Sequence, residues 1–242
     1  MKHKDHYDEE YVLWLANELS SHIPTFDKEK FILLTADSIV RMELYDRFDL
    51  IVSSIRSSQN CDYDTCLNAF YGLLGPELKK AEGMFNIGWR LWPIGRYVEI
   101  HGLENWELSL GFIKELTKRF TGEYAIRPLL REHPKEVMDL LISWSKDDNV
   151  HVRRLASEGV RIRLPWSQKL NVAIDEFDKY VTILTNLKDD SEKFVQKSVG
   201  NNLNDLYKDA PEKANEIIAS WKKGPSSRPQ EWIIKHGMRN QT

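Results

Sequence analysis

Cysteine is almost missing from this chain. Its 242 residues include two, Cys61 and Cys66, in the stretch CDYDTC. A structural zinc site needs four ligands, and no histidine lies close in sequence to complete one. The pair therefore reads as two reduced thiols of a cytosolic protein, with no metal site. Long apolar runs are missing as well, which excludes a membrane-spanning helix. The opening MKHKDHYDEE has no apolar segment of the kind a secretory signal requires. Alternating strand patterns are absent, and neither Asn-Gly nor Asp-Gly occurs to close a hairpin. There is no global excess of positive charge either. The formal net charge is −3 and the pI about 6.2, which argues against a surface that is basic throughout.

What remains is helical periodicity. YVLWLANEL sets Val12, Leu15 and Leu19 at helical spacing, and FILLTADSIVRMEL and LYDRFDLIVSSI continue the pattern. Prolines open helices in HPKEVMDLLISW and APEKANEIIASW. These two segments also match each other. Pro134 corresponds to Pro211, Asp139 to Glu216, Leu140 and Leu141 to Ile217 and Ile218, and Ser143–Trp144 to Ser220–Trp221. A second match, KDDNVHVRR from Lys146 with KDDSEKFVQK from Lys188, has a shorter offset. A helical unit recurring every ~40 residues is the signature of HEAT-like helix pairs. The expected fold is all-α: one HEAT-like helical-repeat solenoid over residues 1–242, with a concave groove. Its repeats are degenerate over 1–104 and clearer over 105–222. A short C-terminal helical segment over 227–242 follows the loop KKGPSSRPQ, its helix centred on Glu231 to Arg239.

Positive charge is concentrated locally. Arg153 to Trp166 carries four basic residues against one acid, and Lys118 to Arg131 repeats that ratio. Glu123, Arg127 and Arg131 stand at i, i+4 and i+8, but Pro128 must kink or restart a helix there. Arg154 and Arg161 flank Glu158 and, with Arg153 and Arg163, precede Trp166. The plain reading of such spacing is a weak surface ion-pair ladder, and that of Trp166 a core residue. In FVQKSVGNNLNDLYKD, Val195, Val199, Leu203 and Leu206 form an apolar stripe opposite Ser198, Asn201 or Asn202, Asp205 and Lys208. The repeat offset sets Glu158 opposite Asn201, so that Glu158 and Asp205 would face one cleft amid Arg154, Arg161, Arg163 and Lys197. Cations there would hold phosphates, and carboxylates would act on what the phosphates position.

Three of these stretches, GEYAIRPLL, VRRLASEGVRIRLPW and SVGNNLNDLYKDAPE, together resemble the AlkC branch of the AlkC/AlkD-type DNA alkylation repair glycosylases. WRLWPIGRYVEIHGLENWELSLGFIKELTKRF, upstream, is similar to it too. The likeness runs from about Trp89 to Trp221 and departs from the branch pattern at Ile162, where proline is expected. The resemblance implies a HEAT-like solenoid that binds duplex DNA in a basic groove and removes cationic alkylated bases. Those are chiefly 3-methyladenine, with 3-methylcytosine also associated with this branch. It implies catalytic-site carboxylates at Glu123, Glu158 and Asp205 and an aromatic lesion contact at Trp166. DNA contacts are expected from Arg127, Arg131, Arg153, Arg154, Arg161, Arg163, Lys197, Asn201 and Asn202. No cofactor is expected, and the protein is expected to act as a cytoplasmic, nucleoid-associated monomer. The rival expectation is a non-catalytic HEAT-repeat protein that binds bent, branched or damaged DNA. A protein–protein scaffold would instead show an apolar or mixed groove.

Overall fold

The computed structural model describes residues 2–81 and 88–240. It is an all-α, helical-repeat fold with no strand among the described residues. None of the described helices is long and apolar enough to cross a membrane. The chain divides into two compact units, residues 1–77 with 83–121, and residues 78–82 with 122–242.

The first unit contains α1 (Glu9–His22), α2 (Lys28–Ile39), α3 (Leu44–Ser58), α4 (Tyr63–Phe70), α5 (Trp92–His101) and α6 (Trp106–Thr117). Asp8, Asp27, Asp62 and Asn105 cap α1, α2, α4 and α6 through their side chains, each accepting from a backbone N–H of the first turn. Val12, Leu15 and Leu19, the apolar set of α1, are buried. Tyr7, Phe48 and Trp92 pack together as rings about 5 Å apart. Arg47 is buried and donates to the carbonyls of Lys4, Tyr7, Val40 and Met42, closing carbonyls that helix ends and turns leave open. Both cysteines are free thiols, and burial pushes that of Cys66 up to about 12.

The second unit contains α7 (Ile126–Glu132), α8 (Pro134–Trp144), α9 (Val150–Glu158), α10 (Val172–Asp175), α11 (Phe177–Leu187), α12 (Lys193–Asp209), α13 (Pro211–Trp221) and α14 (Arg228–Gly237). The repeat is visible here. From Pro134 to Phe177 and from Val150 to Lys193 the step is 43 residues, and from Phe177 to Pro211 it is 34. The matching segments α8 and α13 are thus two steps apart, each opened by proline and closed by a buried tryptophan. Helix α12 sits at the centre, packed on α9, α11, α13 and α14.

Two expectations about elements are sharpened. Of a kink or a restart at Pro128, the structure has the restart. A turn over 123–125 precedes α7, and Pro128 falls in its first turn, where a missing N–H costs nothing. Glu123 therefore lies outside the helix that holds Arg127 and Arg131. The last helix starts at Arg228, inside the expected loop. The Ser227 hydroxyl caps it by accepting from the Gln230 N–H at 3.2 Å, and Pro229 occupies the first turn. Gln241 and Thr242 of the expected segment lie outside the described residues.

Candidate functional site

The polar face of α12 is not solvated. Ser198, Asn202, Asn204 and Asp205 are all buried. Small side chains there let neighbouring helices approach. Ser157 on α9 donates to the Ser198 hydroxyl at 2.7 Å, and Asn202 donates to the Ser157 carbonyl at 2.8 Å. Asn204 donates to the Gly237 carbonyl on α14 at 3.0 Å. Asn202 is thus a tie between two helices, with no surface left for a ligand.

Across this α9–α12 seam runs a chain of alternating charges. Arg154 Nη1 lies 2.9 Å from Glu123 Oε2, and its Nη2 lies 3.5 Å from Glu158 Oε1. Arg161 Nη1 donates to the same Glu158 oxygen at 2.8 Å. Arg161 Nε donates to Asp205 Oδ2 at 3.0 Å. The order is Glu123–Arg154–Glu158–Arg161–Asp205, three carboxylates held by two guanidiniums. All five side chains are nearly enclosed, from 5% to 13% exposed. Burial pushes the Glu158 carboxyl up, but Arg154 and Arg161, helped by a hydrogen bond from Ser198, outweigh it and hold that carboxyl below the ordinary range. Beneath the chain, Tyr180 on α11 is fully buried. Burial first, and then the charge of Asp205, pushes its hydroxyl well above the usual tyrosine value.

The middle and the far end of this chain differ in how they are held. Glu158 is gripped from both sides, by Arg154 and Arg161 on Oε1. Asp205 receives Arg161 Nε and, at 3.4 Å, the Arg163 N–H on a single oxygen, Oδ2. No hydrogen bond within the described residues reaches its Oδ1.

The loop from Gly159 to Leu170 is fastened from inside. Arg127, 1% exposed, donates to the carbonyls of Gly159, Arg161 and Gln168 at 3.2, 2.8 and 2.6 Å. The Leu170 N–H returns to the carbonyl of the buried Ile162 at 3.1 Å. Trp166 stands on this loop, 59% exposed, with φ at +62°. It is the one non-glycine among the described residues with positive φ. A tryptophan held in the left-handed region and turned outward costs of order 1–3 kcal/mol of backbone strain, so the core reading of Trp166 does not hold.

The cations expected on DNA divide into two groups. Arg127, Arg153, Arg154 and Arg161 are engaged by carboxylates or carbonyls of the protein itself. Arg153 pairs with Asp190 at 2.7 Å and donates to the carbonyls of Asp147 and Asp148 at 2.9 Å each. Arg163, half exposed, pairs with Asp209, which Lys169 also meets. Arg131 and Lys197 are exposed and make no ion pair with the described residues. Asn201 is half buried and accepts from Arg239 at 3.1 Å. Sequence reasoning set Ser198 on the polar face with Asp205 but missed Ser157, Asp209 and Lys169. Only Asp209 carried a signal, one helical turn beyond Asp205 on the same face.

Residues 113–239, more than half of the chain, match the family model described as DNA alkylation repair enzyme. The chain belongs to the DNA alkylation repair enzyme family. Among solved structures it resembles the Pseudomonas fluorescens alkylpurine DNA glycosylase AlkC, determined bound to DNA containing an abasic site analog. The identity is 31% over 99% of this chain and 64% of that one, with a TM-score of 0.84. AlkD2 of Streptococcus mutans shares the fold, at 17% identity over 88% of this chain and 97% of that one and a TM-score of 0.56. Protein YhaZ of Bacillus subtilis is 32% identical over 238 residues, covering 98% of this chain and 63% of its own length. This member of the family thus spans less than two thirds of the length of YhaZ and AlkC. The matched region takes in the whole charge chain and the Trp166 loop.

Proposed function

We propose that the protein is a monofunctional DNA glycosylase that excises positively charged N-alkylated bases, 3-methyladenine and 3-methylcytosine, from duplex DNA. The observation that carries this reading is the buried chain Glu123–Arg154–Glu158–Arg161–Asp205, which ends in a carboxylate oxygen with no hydrogen bond from the described residues. Buried ion chains are poor stabilisers, and apolar side chains of similar volume often do as well or better. Retaining this one argues for a task other than stability. The AlkC likeness, a DNA-bound alkylpurine glycosylase, supplies the class of that task.

The chemistry follows from the charges. An alkylated base that already carries positive charge leaves without a general acid. The sugar left behind has oxocarbenium character, and a fixed carboxylate stabilises it. Asp205 takes that role and aligns the attacking water through Oδ1. Glu158 and Glu123 set the potential: three carboxylates against two guanidiniums leave one negative charge to face a cationic nucleotide. Trp166 offers its ring to the same cation, an interaction worth ~0.5–2 kcal/mol. Arg161 fixes Asp205 in place. No metal or cofactor is required, since water and a carboxylate suffice.

The test is base release from methylated duplex DNA, resolving 3-methyladenine from 7-methylguanine, for the wild type and Asp205→Asn. Release of 3-methyladenine, reduced at least 100-fold in a folded Asp205→Asn, is the expected result. Salt-sensitive DNA binding without release would instead favour a non-catalytic binder of distorted DNA. Borohydride should trap no covalent adduct, because among the described residues Glu158 and Asp205 are met by arginines and by no lysine.

A further inference from the structure

The arginines that sequence reasoning assigned to phosphates are largely consumed by carboxylates and carbonyls. Phosphate contacts near the charge chain must then come from other cations. One group stands out, on the seam of α12 and α14. Lys197 and Lys235 are exposed and make no ion pair with the described residues, and Arg239 donates only to the His236 carbonyl and the Asn201 side chain. On the same seam Trp232 stacks on His236 with ring centroids 4.7 Å apart and planes 11° apart, and Lys193 Nζ lies 3.2 Å from the Trp232 ring. Trp232 thus packs against both an ammonium and an imidazole. A cavity of about 480 Å³ opens among Trp232, Lys235, His236, Met238 and Arg239.

These cations converge. His236 is held below its ordinary range by burial first, and then by the charges of Arg239, Lys197, Lys193 and Arg161. Asn204, the neighbour of Asp205 on α12, donates to the Gly237 carbonyl of α14 at 3.0 Å, so the seam borders that site. The acid on α14 is Glu231, one turn before Lys235 and exposed. Like charges gathered with so little compensation repel one another, and an anion placed among them removes that cost.

We propose that the α12–α14 seam, through Lys197, Lys235, Arg239 and the Trp232–His236 stack, seats the sugar-phosphate backbone of the DNA strand that passes the Asp205 site. The proposal rests on the DNA-handling part of the functional reading and does not depend on base excision. Phosphates fit the seam because its donors are cations and ring N–H groups without a base-reading pattern. It explains why α14 is pressed so closely on α12. A Cβ on Gly200 would meet the His236 ring at 2.8 Å, and a Cβ on Gly237 would meet Leu203 Cβ at 2.7 Å. Glycine at both positions lets His236 and Arg239 reach Asn201.

The experiment is fluorescence anisotropy of an undamaged labelled duplex, with Kd measured across a salt series. The proteins are wild type, Lys235→Ala/Arg239→Ala, Lys197→Ala/Lys235→Ala, and a charge-matched control, Lys179→Ala/Lys213→Ala. The control lysines lie on α11 and α13, over Asp139 and Phe177. Each phosphate-binding cation contributes a slope of about 0.9 in log Kd against log salt. Both seam variants should therefore lose a slope of nearly 2 and bind roughly tenfold or more weakly at low salt, while the control shifts little. The Lys197/Lys235 variant removes only side chains that make no ion pair with the described residues, so misfolding does not confuse its result. Seam variants that match the control in slope and Kd would overturn the proposal. Base release by the wild type is scored separately. A slope change without any release would sink the glycosylase reading alone, and release with no slope change would sink the seam alone.

Discussion

Arg127 illustrates how a charged side chain can belong to the interior. Its guanidinium closes three carbonyls of the loop that carries Trp166, and lysine cannot serve three acceptors spread in that plane. Arg127→Lys should lower stability by about 3 kcal/mol, since hydrogen bonds to a charged donor contribute ~1.5–3 kcal/mol each. It should also open 159–170 to limited proteolysis. A variant within ~0.5 kcal/mol of wild type, with the loop still protected, would show that the loop holds itself. Glu158 gives a pH signature. Its folded carboxyl is depressed, so its contribution is present above the unfolded value of about 4.3 and is lost as pH falls through the folded value. Stability should therefore decline on acidification below pH ~4.3. Glu158→Gln should be less stable at neutral pH by several kcal/mol and show a shallower acid limb in urea titrations. An unchanged acid limb would mean that Glu158 is not held by its arginines in solution.

At the scale of elements, glycines separate packing from propensity. Gly111 lies in α6 with an open flank, its nearest neighbour to an added Cβ being the Tyr71 hydroxyl at 3.6 Å. Gly111→Ala should raise stability by up to ~1 kcal/mol through helix propensity. At Gly237 the added Cβ would strike Leu203 Cβ, which has no rotamer to escape into. Gly237→Ala should cost about 1–3 kcal/mol as overpacking. Denaturation midpoints moving the same way in both would refute the contrast. Much at this scale was legible in the sequence. The apolar stripe of α12, the proline-to-tryptophan match of α8 and α13, and the placing of Glu158 against α12 all follow from periodicity and offset. What was not legible is which polar residues turn inward. Asn202 and Arg127 look like surface residues in sequence, because hydrogen-bond partners supplied by another helix or by a loop 30 to 40 positions away leave no local pattern. The start of α14 was read late because Pro229 marks a loop as readily as a first turn.

For the molecule as a whole, a net charge of −3 conceals a division between its units. Residues 78–82 and 122–242 carry 22 basic against 19 acidic residues, whereas the other unit carries 12 against 18. The first balance is +3 and the second −6. The sequence pI therefore describes neither unit, and only the unit that holds the charge chain and the α12–α14 seam suits a polyanion. Duplex DNA should accordingly slow amide exchange most in α9, α12 and α14, and little in α1, α2 and α3. Those three helices carry seven acids, and the cap residues Asp27 and Glu43 bring the count within 9–58 to nine. The two effects separate by salt. Protection arising from phosphate contacts should fade together in α12 and α14 as ionic strength rises, because each counterion released on binding becomes less favourable to release. Protection of equal size in α1 to α3, persisting at high salt, would show that the acidic unit grips DNA by other means and that charge division does not decide where the duplex lies.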